Sequence, residues 1–161
     1  MRVGRALISV SDKAGLERLA RGLADLGVTI VSTGGTAAAL REMGVEVVPV
    51  DQVTGHPEIM GGRVKTLHPR LHAALLARRD DPEHAATLER EGIEPIDLVC
   101  VNLYPFQRTI GRLDVAWEEA IEQIDIGGPT LLRAAAKNHA HVVPLCRPED
   151  YEQVVEEYRM H

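Results

Sequence analysis

Residues 6–50 read ALISVSDKAGLERLARGLADLGVTIVSTGGTAAALREMGVEVVPV, and this stretch decides the fold. Ala6–Val10 is a short apolar run of strand type. From Lys13 to Leu26 the period changes. Leu16, Leu19, Ala20, Leu23 and Leu26 recur at helical spacing, with Ser11 or Asp12 available as N-cap and Gly27 in the place of a C-terminal glycine. A second strand is expected over Val28–Val31, a short helix over Ala37–Met43 ended by Gly44, and a third strand over Val45–Val50. Strand, helix, strand, helix, strand in that order predicts an α/β fold of three layers (α-β-α), with a mainly parallel central sheet.

Beyond Val50 the pattern is less even. Residues 51–69 show no clear period and read as a long irregular loop, a feature that in a compact domain usually serves function. His72–Ala77 fits strand or helix. Pro82–Glu91 reads as a charged surface helix, and Ile96–Leu103 (IDLVCVNL), the most apolar run, as a central strand. Helices are expected over Val115–Gln123, from Pro129 through TLLRAAAKNH, and over Pro148–Tyr158, with a last strand at Val142–Leu145. No repeat or linker divides the chain, so residues 1–161 are expected to form one domain.

Composition narrows the function classes. Of 161 residues, 45% are hydrophobic and only 3% aromatic, so aliphatic side chains must fill the core. A chain of this length buries roughly 70% of its unfolded surface and needs no disulfide or metal to hold a core. The net charge of −6 argues against a nucleic-acid partner and requires any anionic ligand to meet local cations. The two cysteines, Cys100 and Cys146, lie in apolar runs and read as buried thiols of a reducing compartment. No segment approaches the roughly 20 apolar residues of a membrane span, and the N-terminus does not read as a secretion signal, which leaves the cytoplasm as the default location. His68 and His72 are four apart, but without further ligand spacing they do not make a metal motif.

In a parallel sheet, ligands bind beyond the carboxyl ends of the strands, and there the sequence is patterned. The first strand ends in Ser9-Val10-Ser11-Asp12-Lys13 and the second in Ser32-Thr33-Gly34-Gly35-Thr36. Each turn opens a helix, whose free N–H groups and partial positive charge favour phosphate. Two simple N-caps would use the same hydroxyls, but two such turns on neighbouring strands favour one shared phosphate. Neither turn is a Walker or dinucleotide motif. Downstream, Gly61-Gly62-Arg63-Val64-Lys65-Thr66 suits an extended, cation-bearing segment laid over a ligand. Asn102 and Tyr104, at alternate positions, point to one side of the sheet end. Asp125, between two isoleucines and before Gly127-Gly128, is either a helix cap or a general base in a partly apolar site, and both readings stay open.

The strings SVSDK, STGGT, GGRVKTLHP, NLYPF, QIDIGG and LLRAAAKNH, in this order, resemble the N-terminal domain of the bifunctional purine-biosynthesis enzyme AICAR formyltransferase/IMP cyclohydrolase, of methylglyoxal-synthase-like fold. The resemblance spans nearly the whole chain. It implies a cofactor-free, metal-free IMP cyclohydrolase that converts 5-formamidoimidazole-4-carboxamide ribotide to IMP and water. Ser11, Asp12, Lys13, Thr33, Gly34, Gly35 and Thr36 would bind phosphate. Arg63, Val64, Lys65, Thr66, Asn102, Asp125 and Ile126 would bind the nucleotide. Lys65, Tyr104 and Asp125 match residues discussed as catalytic, and Lys137 matches the family's proton donor/acceptor. Backbone N–H groups near Gly127 would support the oxyanion. The larger formyltransferase domain of full-length relatives is not expected here, and a homodimer is one assembly the resemblance allows. Methylglyoxal synthase and a non-catalytic nucleotide-sensing module are the competing readings on the same fold.

Overall fold

Alternation along the first strand sets the layers of the molecule, which the computed structural model describes over residues 3–160. In β1 (Arg5–Val10), Ala6, Ile8 and Val10 turn to one face and Leu7 to the other. α1 (Leu16–Asp25) and β2 (Thr29–Ser32) follow, then α2 (Gly34–Glu42), β3 (Val48–Pro49) and α3 (Val50–Thr54). After a single 3₁₀ turn at Met60–Gly62 come α4 (Pro69–Leu76), α5 (Pro82–Glu91) and β4 (Leu98–Asn102). The chain closes with α6 (Phe106–Ile110), α7 (Trp117–Glu122), α8 (Gly127–Lys137), β5 (Val143–Leu145) and, after a 3₁₀ turn, α9 (Tyr151–Arg159).

All strand pairs are parallel and the order is β3-β2-β1-β4-β5. The three-layer α/β expectation therefore holds. α1, the inner side of α2 and α9 cover one face, where Leu16, Leu19, Leu23, Leu40 and Val155 pack on Ala6, Ile8, Leu98 and Cys100. α4 and α8 cover the other, with Leu71, Leu75, Leu131 and Ala135 against Leu7, Val31 and Val99. Gly22 lets α1 and α9 close together: a Cβ there would lie 2.5 Å from Val155 Cγ1. Asp97, just before β4, is buried, yet it accepts the N–H groups of Gly4 and Arg5 at 2.6 and 2.9 Å and pairs with Arg79. Its charge is thereby compensated, as burial demands.

Several sequence expectations change. The strand expected over Val45–Val50 shrinks to Val48–Pro49, since Pro49 has no N–H to continue a ladder and Val50 opens a helix. The irregular stretch 51–69 holds the rest of α3 and a 3₁₀ turn. His72–Ala77 resolves as helix because His68 caps α4, its Nδ1 accepting Arg70 N–H at 3.2 Å, with Pro69 in the first turn. Cys100 is buried as expected, but Cys146 is exposed, because β5 ends at Leu145 and leaves it outside the sheet. No helix is long and apolar enough to cross a membrane among the described residues.

Candidate active site

The order β2-β1-β4 brings three strand ends together on one rim, and the loops there enclose a cleft of about 650 Å³. That is the size of an ordinary small-molecule site. The turn after β1 supplies Ser11 and Lys13, and the turn after β2 supplies Thr33, Gly35 and Thr36. Arg63, Lys65 and Thr66 come from the segment before α4, and Asn102 and Tyr104 from the end of β4. Asp125, Ile126, Gly127 and Gly128 come from the turn that opens α8.

The polar groups divide into those spent on the scaffold and those left for a ligand. Thr36 Oγ1 accepts Val10 N–H at 3.1 Å and donates to Val10 C=O at 3.0 Å. It staples the first turn of α2 to the end of β1. Asn102 Oδ1 accepts the N–H groups of Ser11 and Asp12 at 2.6 and 2.8 Å, and its Nδ2 donates to Asp12 C=O at 2.8 Å. Asn102, which the resemblance gives as a nucleotide-binding residue, thus clamps the β1 turn with both amide atoms. Asp12 Oδ1 accepts Ala14 N–H at 2.9 Å and closes the turn locally. The Ser9 and Thr33 hydroxyls meet at 3.0 Å across β1 and β2. By contrast, the Ser11 hydroxyl makes no hydrogen bond among the described residues.

Lys65 is the most informative cation. Its Nζ sits 3.1 Å from where a Gly34 Cβ would be, and 3.5 Å from the corresponding position of Gly62. An ammonium over the N-terminus of α2 opposes the helix dipole; it makes no ion pair among the described residues, and the Glu58 carboxylate lies beside the same Gly62 position. Two positive ends are thus gathered at one point, and Lys13 also lines the cleft. Asp125 stands elsewhere on the wall: its Oδ1 accepts Gly128 N–H at 2.8 Å and caps α8, with Oδ2 outside that bond. A Cβ on Gly128 would come within 2.5 Å of that Oδ2, and one on Gly127 would strike the Thr66 hydroxyl. A methyl at either position would have to push a cleft side chain aside. Residues 15–130 match the family model described as MGS-like domain.

The chain belongs to the MGS-like domain family.

Within that family, the bifunctional purine biosynthesis protein PurH of Lactiplantibacillus plantarum is 58% identical over 151 residues, which cover 94% of this chain and 30% of that protein. PurH of Bacillus subtilis is 55% identical over 159 residues, 99% of this chain and 31% of that protein. This MGS-like domain thus spans about a third of the length of the curated relatives it matches. Among solved structures, the one described as the crystal structure of ForH superposes with a TM-score of 0.83 at 39% identity, covering 98% of this chain and 80% of that one.

Not every expected residue of the MGS-like domain reaches the cleft. Val64 and Gly34 flank lining residues without lining it themselves, and Asp12 is turned to its own backbone. Residues 60–66 form tight turns and not the extended segment expected, since Met60, Gly61 and Gly62 all have positive φ. Lys137 is the largest displacement. It ends α8, the helix that begins at the cleft, and so lies about 15 Å further along the axis, exposed to solvent. Glu122 is a wall residue that the motifs did not flag; it forms an ion pair with Arg63. Ile121, Ile124 and Ile126 add an apolar side, and only their spacing beside Asp125 signals it in the sequence.

Proposed function

We propose that this chain is an IMP cyclohydrolase, closing the pyrimidine ring of 5-formamidoimidazole-4-carboxamide ribotide to give IMP and water. The observation that carries this reading is the Lys65 ammonium held over the start of α2, in a cleft that also holds Lys13, Asp125 and Tyr104. The 55–60% identity to PurH proteins supports the same activity.

The reaction joins two groups of one molecule. The carboxamide nitrogen attacks the formyl carbon, and the formyl oxygen leaves as water with one proton from each of the two nitrogens. No electron or external carbon is needed, so the protein's task is positioning and charge. Ser11, Lys13 and the Thr33–Gly35 turn anchor the 5′-phosphate. Holding the two amides in a reactive conformer is worth roughly 7–11 kcal/mol in well-oriented intramolecular reactions. Asp125, its Oδ1 fixed by Gly128 N–H, takes or orients the amide proton. Lys65 and Tyr104 stabilise the oxyanion, at about 3–4 kcal/mol per donor in comparable sites. Lys137, outside the cleft, takes no step in this scheme. The setting we propose is cytoplasmic, with the ribotide and IMP as partners and the formyltransferase activity left to the remainder of full-length relatives.

Incubating the purified chain with the formamido ribotide, without added cofactor, should form IMP at a rate that falls at least tenfold in Lys65→Ala and Asp125→Asn. IMP binding without turnover in the wild-type chain would instead make it a nucleotide-sensing module.

A further inference from the structure

Tyr151 is the largest side chain in the core and is 1% exposed, yet it opens the last helix, in a region with no site motif. Its ring lies beneath the β1 turn: a Cβ on Gly15, the residue before α1, would stand 3.3 Å from Tyr151 Cδ2. Its hydroxyl is buried and makes no hydrogen bond of normal geometry. The polar groups facing that hydroxyl are the Cys100 thiol and the Asn102 amide, with the Asp12 charge nearby. Asn102 is the clamp that fixes Ser11 and Asp12 by three hydrogen bonds. A phenylalanine would fill the same core volume without burying a hydroxyl, and a buried polar group without a full partner is costly. Asn102 is the polar neighbour through which the hydroxyl reaches the site, and Gly15 is met by the ring.

Resting on the cyclohydrolase reading for its ligand, we infer that Tyr151 is a positioning residue of the phosphate site, holding the Ser11–Gly15 turn from below through Gly15 and Asn102. α9 is then part of the binding apparatus and does more than cover the sheet.

The test is Tyr151→Phe, which keeps the ring, compared with wild type for binding of IMP and of inosine by calorimetry, alongside melting temperature and cyclisation kinetics. A positioning role predicts a three- to tenfold rise in the Kd for IMP and the KM for the ribotide, with inosine affinity and kcat within twofold. Equal weakening of IMP and inosine, whatever the melting temperature, or unchanged IMP binding overturns the inference. Should Tyr151→Phe fold poorly, the same IMP-to-inosine ratio measured well below its melting temperature decides. Absence of cyclisation in wild type, with the IMP-selective loss still present, would refute the cyclohydrolase reading and leave the positioning role standing.

Discussion

Thr36→Val separates a staple from a ligand contact. The side chain keeps its shape and place in α2 but loses the one hydroxyl that serves both Val10 N–H and Val10 C=O. Thr36 is 4% exposed and Val10 5%, so water cannot readily replace either bond. Leaving a buried donor or acceptor unmade costs about 1–3 kcal/mol each. The carbonyl has a weaker second partner in Lys13 Nζ at 3.5 Å, which softens its share. A total of about 2–3 kcal/mol corresponds to roughly 5–12 °C in melting temperature for a chain of this size. Thr36→Ser keeps the hydroxyl, removes one methyl, and should lose about 1 kcal/mol or less. Thermal denaturation and IMP calorimetry on the three proteins give the answer. An unchanged melting temperature in Thr36→Val would refute the staple, and if IMP affinity vanished at the same time the hydroxyl would be a direct phosphate ligand.

Other consequences are equally open to measurement. Lys13→Ala should weaken IMP at least fivefold and inosine little, since it removes the one cation of the β1 turn; equal affinities by calorimetry would reduce that turn to a helix cap. Gly22→Ala, which gains intrinsic helix propensity, should nevertheless destabilise by about 1–3 kcal/mol because its methyl would overpack against Val155; a raised melting temperature would contradict the close packing of α1 and α9. Burial pushes the Cys100 thiol up to about 12, so it stays protonated and shielded at neutral pH while Cys146 is exposed. A thiol reagent at pH 8 should therefore modify one cysteine in the native protein and two in denaturant, as counted by absorbance.

What the sequence discloses depends on how local its cause is. β1, α1, β2 and α2 follow from period changes and from Gly27 and Gly44, and their turns converge because sequential strands pair. β3 is shorter than its apolar run because Pro49 ends the ladder while the run goes on. Period alone does not separate strand from helix at α4, though His68-Pro69 carries its start signal. In the site, residue types point to the cleft but not to each group's hydrogen-bond commitments. Thr36 and Asn102 belong to the phosphate motifs, yet their polar atoms bond Val10 and the Ser11–Asp12 backbone, pairings that span 26 and 90–91 positions. Lys137 shares a motif string with cleft residues, but a helix of 11 residues carries it away. Tyr151 gives no local signal, since the packing of α9 beneath Gly15 and near Asn102 connects it to the site.

A crystal structure of the chain soaked with IMP tests the cradle most directly. The phosphate should sit between the Ser11–Lys13 and Thr33–Gly35 turns, within 3.5 Å of their N–H or hydroxyl groups on the hydrogen-bond criterion, with the base reaching toward Lys65 and Asp125. Density for the nucleotide in the groove at the opposite end of the sheet, where Arg21 and Arg41 lie, with the first cleft empty, would contradict it.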